Sequence, residues 1–127
     1  MNTSTDPATL TKAVLLAAER LGLTNALPQI LGIDALHLAR MARGEAALAR
    51  DGAEWAVALK FAGLYRSLLS LLDSPANART WLTTPHQTLG GSPADLLRTA
   101  AGRDHVFKYL DAVQKYEMKL PPRSNSE

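Results

Sequence analysis

Apolar positions along this chain recur at intervals of three and four, and strict alternation is missing. That spacing predicts helices. Asp6 followed by Pro7 provides a cap with proline at the first helical position. Leu10, Val14, Ala17 and Leu21 then line one face, and Gly22 closes the helix. A second, short helix is expected with Asn25 as its cap, Pro28 in its first turn and Leu31–Gly32 as its end. A third begins at Asp34 and runs to Arg43, with Gly44 as the stop. After EAALARDG comes the longest segment, Ala53 to Leu72. One of its stripes holds Trp55, Leu59, Ala62, Leu69 and Leu72, and another holds Phe61, Leu64, Leu68 and Leu71. A helix apolar nearly all round belongs in the middle of a molecule or in a self-association interface.

Ser74–Pro75 starts a further helix that carries Trp81 and Leu82 and ends at Pro85. Residues 84–91 are expected as a loop, and Ser92–Pro93 as the start of a helix stopped by Gly102. Asp104 is the expected cap of the last helix, whose core face is Val106, Leu110, Val113 and Tyr116. Pro121–Pro122 terminates it and leaves a polar end, PPRSNSE. Ala and Leu dominate while β-branched and aromatic residues are sparse, so the fold class is all-α. Three regions follow: residues 1–50, residues 51–120 and a tail, 121–127.

Composition narrows the chemistry. A chain of 127 residues is one domain, or two small units sharing a core. With no cysteine, disulfides, cysteine-ligated zinc, iron–sulfur clusters and thiol nucleophiles are excluded. The polar start MNTSTDPATLTK has no signal-peptide pattern, and Lys60, Tyr65, Arg66 and two serines interrupt residues 55–72. The expectation is therefore a cytoplasmic protein without a membrane partner. A pI of about 9.2 accompanies a net charge of only +2, which permits nucleic-acid binding without arguing for it.

Residues 25–44 have the spacing of a helix-turn-helix. Leu31-Gly32-Ile33-Asp34 gives helix end, turn glycine, buried turn hydrophobe and cap, and Leu38 and Met41 face the core. Over residues 9–46 this resembles the Xre/Cro-like repressors. The resemblance implies base-edge contacts from Ala35, Leu36, His37, Ala39 and Arg40 and a phosphate contact from Arg43. The family usually has polar side chains at the first two positions. Ala35 and Leu36 have no donors or acceptors, which leaves His37 and Arg40 as readers and equally leaves open a scaffold or dimerisation role.

Residues 81–110 carry Trp81-Leu82, Pro85-His86, Leu89-Gly90-Gly91-Ser92-Pro93, Leu96-Leu97, Gly102, Val106 and Leu110. Over residues 54–116 this pattern is similar to the toxin-binding domain of the Xre/MbcA/ParS antitoxins, partners of RES-domain toxins. Its structural motif comprises Trp81, Pro85, Leu89, Gly90, Gly91, Pro93 and Gly102. Each also has an ordinary physical role: Trp81 and Leu89 as core, the glycines as turn residues, Pro93 as a helix start. His86 stands where the family often has asparagine.

The resemblance implies inhibition by occlusion. RES-type toxins degrade NAD, and the antitoxin brings its C-terminal end to the toxin's cleft. In this chain Tyr116, Met118 and Leu120 are the implied apolar anchors and Lys119 and Arg123 the implied cations. The segment KYEMKLPPRSNSE is longer than the usual family ending, and a solubilising tail from Pro121 onward is the alternative.

Enzyme readings find no support. Gly90–Gly91 has no following lysine and no preceding strand, and the three histidines lie on separate elements. His86 is a lone histidine with no second His or carboxylate at ligand spacing, and neither a metal nor a cofactor is expected. The leading expectation is an antitoxin that binds a RES-type toxin and also operator DNA, as a homodimer within a larger complex. A stand-alone helix-turn-helix regulator and a protein-interaction module without DNA contact are the alternatives.

Overall fold

A computed structural model describes residues 6–115. Its helices are α1 (Pro7–Leu21), α2 (Leu27–Leu31), α3 (Ala35–Ala42), α4 (Ala53–Leu72), α5 (Pro75–Thr83), α6 (Pro93–Leu96) and α7 (Ala100–Lys115). No strand occurs among the described residues, and the all-α expectation holds.

Local chemistry sets most boundaries. The Asp6 carboxylate accepts from the N–H groups of Ala8 and Thr9, and Pro7 occupies the first turn of α1. Gly22 ends α1 in the left-handed conformation, φ +72°. Ser74 and Ser92 cap α5 and α6 through their hydroxyls, each followed by proline. The start of α2 differs from expectation: a 3₁₀ turn, Thr24–Ala26, leads into it, so Asn25 lies inside that turn and no side chain caps α2.

The C-terminal boundaries also differ. α6 is a single turn that ends at Leu96, well short of Gly102. Gly102 lies in the first turn of α7, whose cap is Thr99: its hydroxyl accepts from Gly102 N–H at 3.1 Å, and its carbonyl from Arg103 N–H at 2.8 Å. Asp104 is therefore a helical residue, paired with Lys108 at 3.0 Å, and not a cap. A Cβ at Gly102 would collide with the Leu96 carbonyl, so the glycine lets α7 start against the end of α6.

α4 is the central element and packs against α1, α2, α5 and α7. Ala58, Phe61, Ala62, Leu64, Leu68 and Leu72 form its buried face. Phe61 is fully buried, which stabilises the fold by about 1.5–3 kcal/mol on transfer grounds. Of the first predicted stripe, Ala62 and Leu72 are core, Trp55 and Leu69 half-buried, and Leu59 40% exposed. Arg50 sits 5.7 Å from the centroid of the Trp55 ring. By length and composition alone α4 is long and apolar enough to cross a membrane, but so is the core helix of a soluble protein. Only 33% of its most apolar window is buried, so apolar surface remains on it.

The segment between α3 and α4 is tied to α1 through Thr11. Its hydroxyl donates to the Pro7 carbonyl at 2.7 Å and accepts from Leu48 N–H at 2.9 Å, and Leu48 itself is buried. One hydroxyl thus uses both roles in a nearly dry place, where an unmet group would be costly.

Candidate functional site

The α5–α6 connection is built on Trp81. That ring is 3% exposed, stacks on Tyr109 of α7 at 6.4 Å between centroids, and lies 5.1 Å from the His86 ring. His86 organises the loop with backbone and side chain together. Its N–H donates to the Gly91 carbonyl at 3.0 Å, and its carbonyl accepts from Leu89 and Gly90 at 3.1 and 2.9 Å. Its Nε2 lies 2.9 Å from the Trp81 carbonyl. A carbonyl can only accept, so this bond requires a proton on Nε2.

The motif residues therefore do separate jobs. Leu89 is buried, and Pro93 is fully buried at the start of α6. Gly90 sits at φ +81°, in the region that favours glycine, while Gly91 closes the isolated bridge with His86. Pro85 is exposed and ends α5 by its chemistry alone. The Trp81 indole N–H is buried without a hydrogen-bond partner among the described residues. Burial raises the Tyr109 phenol above its ordinary value.

The α2–α3 turn has the expected local form. Gly32 ends α2 at φ +76°, Ile33 is half-buried against the core, and the Asp34 carboxylate accepts from His37 N–H at 2.7 Å. Met41 is buried, and Leu38 packs against the core. Gly44, at φ +78°, follows the end of α3.

The candidate readers are less alike than their spacing suggests. Ala35 and Arg40 are exposed, Ala39 is half-buried, and Leu36 is 66% exposed. His37 is half-buried, with Nε2 enclosed and without a hydrogen-bond partner among the described residues, so that atom is not offered to a groove. Arg43 is held by Glu45 through two bonds of 3.1 Å. On this face Arg40 is the exposed donor without an ion pair among the described residues.

Sequence reasoning missed two arginines at the junction of α2, α6 and α7. Arg98 Nη1 donates to Gln29 Oε1, and Arg103 Nη1 donates to the carbonyls of Gln29 and Leu97. Nothing in the spacing of either arginine marks a contact with a residue so distant in sequence. Tyr116, Met118, Lys119, Leu120 and Arg123 lie outside the described residues. No group of three His, Cys, Asp or Glu able to hold a metal occurs among the described residues.

Residues 67–115 match the family model described as the antitoxin Xre/MbcA/ParS C-terminal toxin-binding domain. The match takes in the end of α4, all of α5, α6 and α7, and the loop organised by His86. No curated protein matches the chain.

Proposed function

We propose that this chain, whose residues 67–115 form an antitoxin Xre/MbcA/ParS C-terminal toxin-binding domain, is the antitoxin of a type II toxin–antitoxin pair and covers the cleft of a RES-type, NAD-degrading toxin. The observation that carries this reading is the family match over one packed unit, from the end of α4 through α7. A toxin-binding domain implies a protein partner, and a non-enzymatic role follows from the same domain.

Inhibition would then be steric. The domain holds the toxin while the segment after α7 enters the cleft, with Tyr116, Met118 and Leu120 as apolar anchors and Lys119 and Arg123 as cations. The same chain would repress its own operon as a homodimer on paired half-sites, through the α2–turn–α3 unit. The left-handed Gly32 and the Asp34 cap support that part. A stand-alone regulator shares this DNA argument and gives no role to residues 67–115.

An affinity pull-down from source cells at moderate salt, read by mass spectrometry, tests the reading. Near-stoichiometric recovery of a small protein that consumes NAD, and stops doing so when this chain is added, is the expected result. Recovery of the chain alone overturns it in favour of the regulator. With the toxin in hand, truncation after Leu120 removes Arg123 and should weaken neutralisation. Full neutralisation would take the polar tail out of the plug. Truncation before Lys115 should abolish inhibition, with folding checked by circular dichroism.

A further inference from the structure

Carbonyl groups in the last turn of a helix have no intrahelical partner, and that turn carries the negative end of the helix dipole. Three such carbonyls in this chain receive guanidinium donors. Arg79 Nη1 of α5 donates to the Arg20 carbonyl at the end of α1, at 2.7 Å. Arg103 Nη1 of α7 donates to the Leu97 carbonyl at the end of α6, at 3.2 Å, and more weakly to the Gln29 carbonyl of α2, at 3.4 Å. Arg98 adds its bond to the Gln29 side chain, at 3.0 Å. None of these three arginines makes an ion pair among the described residues.

Donors and acceptors divide between two parts of the chain. Arg79, Arg98 and Arg103 belong to residues 67–115, the region matched as toxin-binding. Arg20 and Gln29 lie before it, on either side of the corner between α1 and α2. That corner has few constraints of its own. Gly22 leaves α1 at φ +72°, the 3₁₀ turn follows, and α2 is five residues long with no side-chain cap. The Arg79 stem lies over the corner: a Cβ at Gly22 would stand 3.4 Å from Arg79 Cδ.

Burial and hydrogen bonding do different things to α2. Leu27, Ile30 and Leu31 are buried and hold the helix on the core. Apolar contact is non-directional, so it tolerates rotation and sliding. Hydrogen bonds are directional, and a charged donor roughly doubles their strength. The bonds at Arg20 and Gln29 therefore set the direction in which α1 leads into α2. α3 takes its direction from α2 through the turn from Gly32 to Asp34, because Met41 is the one buried residue it adds to the core.

We propose that Arg79 and Arg103, from within the toxin-binding region, are positioning residues for the α2–turn–α3 unit. By holding terminal carbonyls of α1 and α2 they fix the angle at which α3 is presented, without touching what α3 binds. The consequence for DNA rests on the reading of that unit as a DNA-binding one, and the positioning itself does not.

Native-state amide hydrogen exchange on the full chain tests the positioning. The Gly32 and Ile33 amides bond the Pro28 carbonyl and the Leu38 amide bonds the Asp34 carbonyl, so these three report on the unit. Phe61 and Leu68, both fully buried on α4, report on the fold as a whole. In Arg79→Ala/Arg103→Ala the first three should lose about tenfold more protection than the last two. Arg79→Lys/Arg103→Lys, which keeps charge and donor, should restore part of it. Equal loss at all five amides, or none, would overturn the proposal, since bonds that stabilise the whole fold do not position one unit. Circular dichroism checks folding, and each single alanine variant carries the same comparison should the double one not fold.

On duplex DNA from upstream of the coding sequence, the double alanine variant should bind about tenfold more weakly, as the competent arrangement becomes rarer. Its slope against salt should stay that of the parent, because no phosphate contact is removed. A slope lowered by about one per arginine would overturn the proposal in favour of direct phosphate contacts. A parent that binds no DNA removes the DNA reading alone, and the exchange comparison still decides whether the arginines position the unit.

Discussion

Arg98 reaches back to Gln29, its Nη1 donating to Gln29 Oε1 at 3.0 Å across 69 positions of sequence. Arg103 joins the same point through the Gln29 carbonyl at 3.4 Å and the Leu97 carbonyl at 3.2 Å. The family-matched region is thereby tied to the first helix of the α2–turn–α3 unit by side chains as well as by packing. Arg98 and Gln29 are both exposed, so water competes for their bond. A double-mutant cycle of Arg98→Ala and Gln29→Ala in urea unfolding should give a coupling of about 0.5 kcal/mol. Arg103→Ala, from a half-buried site with two carbonyl acceptors, should cost about 1–2 kcal/mol.

Three glycines of the C-terminal motif should respond differently to alanine. Gly102→Ala drives a methyl into the Leu96 carbonyl and should cost about 1–3 kcal/mol unless α6 shifts. Gly90→Ala meets no neighbour but keeps φ at +81°, a strain of about 1–2 kcal/mol. Gly91→Ala meets neither obstacle and should be close to neutral. Thermal unfolding of the three variants, measured side by side, checks the order. Equal losses would remove the Leu96 clash at Gly102 and the positive φ at Gly90 as the causes.

The helix starts were legible because caps are local chemistry. Asp6, Ser74 and Ser92 each precede a proline, and Asp34 follows a turn glycine. Thr99 was missed because Asp104 is the more conspicuous cap, and because a glycine inside a first turn contradicts propensity. Only the closeness of Leu96 explains it. The two stripes of α4 are equally apolar, and periodicity cannot say which meets α1 and which stays half-open. Trp81 and Leu89 were read as core and are core. The Thr11–Leu48 and Arg98–Gln29 bonds join residues far apart in sequence, where no spacing rule operates.

Tyr109 gives a pH dependence with a defined sign. Burial against Trp81 raises its phenol above the ordinary value of 10.0, so the folded protein holds this proton more tightly than the unfolded chain does. The associated stability is complete below the unfolded value and is lost as pH rises through the folded one. Denaturation midpoints should therefore fall more steeply above about pH 10 in the parent than in Tyr109→Phe. Parallel curves for the two proteins over that window would remove Tyr109 as the cause.

Among the proposed readers of DNA, α3 separates His37 from Arg40. Among the described residues the His37 Nε2 is enclosed and without a hydrogen-bond partner, whereas Arg40 is exposed and makes no ion pair. If α3 lies on DNA, Arg40→Ala should weaken binding, and if it contacts a phosphate it should lower the salt slope by about one. His37→Ala should chiefly alter stability, because the ring stands partly in the core. Arg43→Ala should change little, since Glu45 already holds the guanidinium in a fork. Leu36 is the discriminating position: at 66% exposed it has no packing role to lose. Leu36→Ser should leave phosphate-driven affinity intact on a DNA surface, and should abolish association if this face instead docks a protein. Fluorescence anisotropy on operator DNA, at several salt concentrations, distinguishes these outcomes.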